Sequence, residues 1–152
     1  MSIDYIYDYM DDDDLLKISQ KIKETEMLTS AEIVVSIKKN KPLLKKKVPL
    51  KTLAYDEFLK LGLNNTVDKT GILIFIILDS HEFHIITDEG VNKFFSQNTW
   101  ESLIENIQSS FREGEFRNGL VKTVELIGET VKDKLPIKPN DINEISNKIR
   151  IS

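Results

Sequence analysis

The chain has no cysteine. Disulfides, thiolate metal sites and cysteine nucleophiles are therefore excluded together. Long apolar runs are also missing. The longest, ILIFIIL at 72–78, has seven residues, against about twenty for a helix that crosses a bilayer. The first stretch, MSIDYIYDYMDDDD, is acidic and lacks the apolar segment of a signal peptide. A cytoplasmic protein without membrane insertion is expected. Charge of one sign is scarce as well. The net charge is −4, far from the basic balance of a nucleic-acid binder, so no nucleic-acid partner is expected. Only two histidines are present, His81 and His84, which leaves little for a histidine-rich metal centre.

What is there suits one soluble domain. Its 152 residues are enough for a substantial core, and 40% are hydrophobic against 30% charged, so a folded rather than disordered chain is expected. No repeat or internal domain boundary is visible. The reading is one domain over 11–136, an extension over 1–10 and a tail over 137–152. A monomer is expected.

Hydrophobic spacing predicts the elements. Ile3, Tyr5, Tyr7 and Tyr9 alternate weakly, as an edge strand or, preferably, a docked terminus would. Leu15, Ile18 and Ile22, with Leu16 beside them, mark a helix whose start lies in four aspartates; these suit the positive end of the helix dipole better than a calcium loop. AEIVVSIK at 31–38 reads as a strand. A lysine-rich loop follows, with Pro42 and Pro49 opposing regular structure. Leu50, Leu53, Ala54, Phe58 and Leu61 predict a helix that Gly62 can end. The 72–78 run reads as a strand covered on both faces, and EFHIIT as its antiparallel return. Asn98 and Glu101 have capping-box spacing before the stripe Trp100, Leu103, Ile104, Ile107 and Phe111. Gly114 breaks that helix. Leu120, Val124, Ile127, Val131 and Leu135 mark another, ended before Pro136. Ile142, Ile145 and Ile149 suggest a short helix in a loosely attached tail. Strand, helix, strand implies a right-handed parallel crossover. The fold class is α/β: a three-layer α/β/α sandwich with a mixed, mainly parallel sheet plus an antiparallel hairpin strand.

The two histidines sit in the turn and strand after that run. HEFH is not the HExxH zinc motif, and in a strand positions 81 and 84 face opposite ways. A shared metal is not expected, nor a triad from the consecutive residues Asp79, Ser80 and His81. Strand direction points elsewhere. Glu32 starts the first strand, Thr70 precedes the second, and Asp88 and Glu89 end the third, so all come to one edge, with Thr66 and Asp68 in the loop that feeds it. Such oxygen ligands suit a hard cation, calcium or magnesium. In the plainer alternative, Asp88 caps the segment VNKFF and Glu32 faces water. The opposite edge carries seven lysines within 38–51. It has no aromatic residue for base stacking, and a solvated loop is its plainest reading. The glycines of GEFRNG are too few, and too far from a strand, for a phosphate-binding loop.

Several segments, in order, resemble the TPM domain family, which includes a plant thylakoid-lumen protein and many bacterial proteins. They are TSAEIVVSI, FLKLGLNNTVDKTGILIFI, FHIITDEGV and FREGEFRNGLVKTVELIG, covering about residues 15–136. The resemblance implies the same sandwich, a divalent cation, calcium rather than magnesium, and in the plant branch a weak acid phosphatase activity. It carries onto Glu32, Thr66, Asp88 and Gly90. Ala31 stands where the family pattern has glycine, and Thr70 where it has asparagine, which removes one amide oxygen. The expected function is a calcium-binding interaction module with an unidentified protein partner. A metal-assisted phosphatase ranks second, because the edge is acidic and only Arg112 and Arg117 are at hand to approach it. A third reading is a calcium-indifferent scaffold that docks through its lysine loop on an acidic surface.

Overall fold

The structure, a computed structural model, describes residues 3–139 and 148–152. The sheet is built from β1 (Glu32–Lys38), β2 (Gly71–Ile77), β3 (Glu82–Thr87) and β4 (Ile149–Ile151), in the order β3-β2-β1-β4. β1 runs parallel to β2 and to β4, and β3 is antiparallel to β2. The helices are α1 (Asp12–Glu26), α2 (Leu50–Lys60), α3 (Glu89–Asn92), α4 (Gln97–Arg112) and α5 (Phe116–Val131). The expected mixed α/β sheet, with parallel crossover and hairpin, is present.

Strand periodicity divides the core in two. Ile33, Val35 and Ile37 of β1 and Ile72, Ile74 and Ile76 of β2 share a cluster with residues of α1, α4 and α5. Val34, Leu73, Phe75 and Ile77 share another with Leu53, Ala54 and Phe58 of α2. Side chains alternate across a strand, so a strand covered on both faces must be apolar at every position. All seven residues of β2 are buried. This is the physical reason for the unbroken run at 72–78.

Local chemistry sets the ends. Asp11 caps α1 by accepting the Asp14 N–H at 2.8 Å, while the Asp14 carboxylate accepts the Asp11 N–H at 3.1 Å. The aspartates thus act as a cap, as expected. Gly62 takes φ 75° just after α2.

Three expectations change and one is decided between its alternatives. Asn98 and Glu101 do not form a cap: α4 starts two residues earlier, with Ser96 at its N-cap and no side-chain cap bond. Leu16 is exposed, because Ile18 and Ile22 define the buried stripe of α1. Residues Asp4–Asp8 are docked, the preferred of the two readings, and form no edge strand. They make a 3-10 turn that buries Ile6, and the Tyr5 hydroxyl donates to the carbonyls of Ile37 (3.0 Å) and Ser152 (2.9 Å). Ile142 and Ile145 lie outside the described residues, but Ile149 is in β4, not on a helical stripe, since the open edge of β1 offers it backbone partners.

Candidate functional site

Chain direction gathers one end of the sheet. Glu32 is the register partner of Gly71, and the Asp88 N–H donates to the Gly71 carbonyl at 2.9 Å. Positions 32 and 88 therefore flank one residue, two strand spacings or roughly 10 Å apart. The connection before β2 is tied to both neighbours. The Glu32 N–H donates to the Thr70 carbonyl at 3.1 Å, and the Gly90 N–H to the Lys69 carbonyl at 2.8 Å. Gly90 lies so close that a Cβ would fall 2.3 Å from the Asp68 carbonyl oxygen. That close approach brings the 66–70 segment against the start of α3.

The six sequence-predicted residues share this edge but not one environment. Glu32 is buried and paired with Lys148. Thr66 and Thr70 are buried and hold the loop together. The Thr70 N–H donates to the Thr66 Oγ1 (3.1 Å), and the Thr70 hydroxyl donates to the Ser30 carbonyl (3.1 Å). Asp68 is half-exposed and bridged to Lys138. Asp88 caps α3, its Oδ1 accepting the Glu89 N–H at 2.8 Å, while its Oδ2 is buried without a protein partner. Glu89 is exposed on the rim. Among the described residues, no three Asp, Glu or His side chains come together as a metal-holding group.

Sequence reasoning missed the cation at this edge. Lys148 is 5% exposed, and its Nζ lies 2.8 Å from Glu26 Oε2 while also pairing with Glu32. Glu26 Oε2 accepts the Ile33 N–H at 2.9 Å as well. One ammonium thus serves two carboxylates, one buried and one half-buried. Burial is the main influence on Glu26 and pushes its pKa up to about 7, against the opposing pull of Lys148 and the Ile33 N–H. The only sequence signal was a lysine standing among isoleucines, more than a hundred residues from its partners.

The other candidates lie elsewhere. His81, with φ 54° in the turn after β2, packs against Phe111 at 4.6 Å between ring centres. His84 is opposite Phe75 on β3, on the α2 side of the sheet, where burial and then the charge of Lys51 lower its pKa. They face opposite sides, as expected. Arg112 and Arg117 do not approach the acidic edge. Arg112 follows Phe111, which packs on His81 at the far end of the sheet, and Arg117 pairs with Asp14 at 3.4 Å. The helix hairpin turns at that far end, which carries both arginines away.

The same polarity puts the lysine loop opposite the carboxylates. It leaves the end of β1, and Lys38 there bridges to Glu57 at 3.3 Å. Acidic and basic rims occupy opposite ends of the sheet. Among the described residues, no helix is long and apolar enough to cross a membrane.

Comparison with known proteins agrees with this architecture. The model of the TPM domain matches residues 6–130. The chain is similar to the BA42 protein of the psychrophilic bacterium Bizionia argentinensis, at 30% identity and TM-score 0.83, over 93% of this chain and 94% of that one. It is also similar in fold to the N-terminal domain of a protein from P. gingivalis, at 16% identity and TM-score 0.67, over 84% of this chain and 79% of that one. No curated protein matches. The extent of the family match, with a sheet in the expected order, makes this chain a member of the TPM domain family.

Proposed function

We propose that this TPM domain is a small interaction module whose acidic sheet edge takes a divalent cation, calcium in preference to magnesium. The observation that carries the reading is Asp88. Its Oδ1 is engaged as a helix cap, while its Oδ2 is buried at the edge without a partner. A buried carboxylate oxygen without a partner is costly unless something positive meets it. Asp68, Glu89 and the oxygens of Thr66 and Thr70 are the nearby candidates to complete the set. Glu32 contributes only if Lys148 withdraws. Irregular oxygen sets with several neutral members suit calcium better than magnesium, which demands near-ideal octahedral geometry. So few charged ligands belong with affinities of about 10⁻⁴–10⁻³ M.

A phosphatase is less well supported. Groups must neutralise the phosphoryl oxygens, yet both arginines lie at the far end, and Lys138 and Lys148 are already paired with carboxylates. The test is a calcium titration followed by amide NMR. Amides of Thr70, Asp88 and Glu89 should shift at millimolar calcium, and Asp88→Asn should abolish the shifts while leaving the rest of the spectrum intact. A spectrum that stays still at millimolar calcium would remove the cation reading.

A further inference from the structure

At the other end of the sheet, Leu44 is fully exposed and its neighbour Leu43 is 81% exposed. They stand in a 3-10 turn, Leu43–Lys45, closed by the Lys45 N–H donating to the Pro42 carbonyl at 2.9 Å. The turn is held out from the fold at both sides. Val48 packs on the α2 side of the core, and Pro42 and Pro49 have restricted φ of −55° and −58°. Lys41 anchors the loop's base to Glu82 at 3.2 Å. Lys39, Lys45, Lys46 and Lys47 have no ion pair among the described residues.

We propose that this loop is a peripheral docking surface for an anionic lipid bilayer, with Leu43 and Leu44 entering the interface and Lys39, Lys45, Lys46 and Lys47 meeting the headgroup phosphates. Two adjacent leucines left in water are an unfavourable arrangement that burial would relieve. Their setting selects the partner. The apolar tip is ringed by cations of one sign, the distribution that an acyl–headgroup boundary accepts: leucine below, ammonium at the phosphates. The cations are all lysine, which act as mobile point charges rather than the fixed fork with which arginine grips a shaped site. No aromatic residue is present to stack a nucleic-acid base. Asp4 and Asp8 line the cleft beneath the loop, so positive charge dominates at the tip rather than at its base. This surface is at the opposite end of the sheet from Asp88 and does not depend on the cation reading.

The test is co-sedimentation of the full chain with vesicles of phosphatidylcholine alone, or with roughly a third phosphatidylglycerol. Binding is expected only to the anionic vesicles, falling at least about tenfold between roughly 0.1 M and 0.5 M salt. Lys45→Glu/Lys46→Glu/Lys47→Glu should abolish it. Leu43→Ser/Leu44→Ser should weaken it at least about tenfold. These positions are exposed, so unchanged thermal unfolding should accompany both variants. Lys122→Glu/Lys132→Glu, on α5 and just beyond its end, should leave binding intact. No binding, equal binding to neutral vesicles, or equal loss in the α5 variant would overturn the proposal. So would vesicle binding indifferent to the leucine change, which would show adsorption by charge alone.

Discussion

The ammonium of Lys148 stands 2.8 Å from the carboxylate of Glu26 and also pairs with Glu32, so a residue just before β4 closes the space between the end of α1 and the start of β1. Two acids share one base, and burial pushes the pKa of Glu26 up to about 7.

Removing the base should therefore be costly. Lys148→Met takes the ammonium away from both carboxylates. A loss of about 3–5 kcal/mol is expected, as for a buried pair broken on one side. Urea unfolding at neutral pH measures it. Adding Glu26→Gln and Glu32→Gln to Lys148→Met should recover much of the loss. A single variant within about 1 kcal/mol of the parent would mean that the ammonium contributes little to stability.

Glu26 should leave a mark on the pH dependence. In the folded chain its carboxyl holds a proton up to about pH 7, against an ordinary value of 4.5. Between those values the folded state binds the extra proton, so this group's stabilising contribution is lost as pH rises through the window. Glu26→Gln mimics the protonated form. Its stability relative to the parent should climb between pH 4.5 and about 7, by an amount on the order of 3 kcal/mol at most, and then level off. Parallel unfolding curves across that range would show that the carboxyl is already ionised.

Gly90 predicts a steric effect at the acidic edge. A methyl group there would meet backbone oxygens of Asp68 and Lys69 at 2.3 and 2.5 Å, and backbone yields poorly. Gly90→Ala should destabilise by about 2 kcal/mol or more. It should also perturb the amides of Lys69 and Thr70, and weaken calcium binding along with them. An alanine variant of unchanged melting temperature would mean that the 66–70 segment is not pressed against α3.

How much of this was legible in the sequence depends on how local the cause is. The aspartate cap of α1, the Gly62 stop and the doubly covered β2 each follow from side chains within a few residues of one another. The edge shared by Glu32 and Asp88 followed from strand direction, because a crossover and a hairpin leave few alternatives. The Asn98–Glu101 spacing was misleading, since α4 begins at Gln97 and both residues lie inside the helix. Whether Arg112 and Arg117 approach the edge was open in the sequence, because their distance from it is set by where the helix hairpin turns.

Composition and periodicity determined an α/β fold without thiol chemistry, and the order of four short motifs pointed to its family. Only the tertiary structure decided which charges meet. Lys148 reaches Glu26 and Glu32 because the chain returns, after more than a hundred residues, to the open edge of β1. Such pairing depends on three-dimensional proximity and shared burial, and neither quantity is written in local spacing.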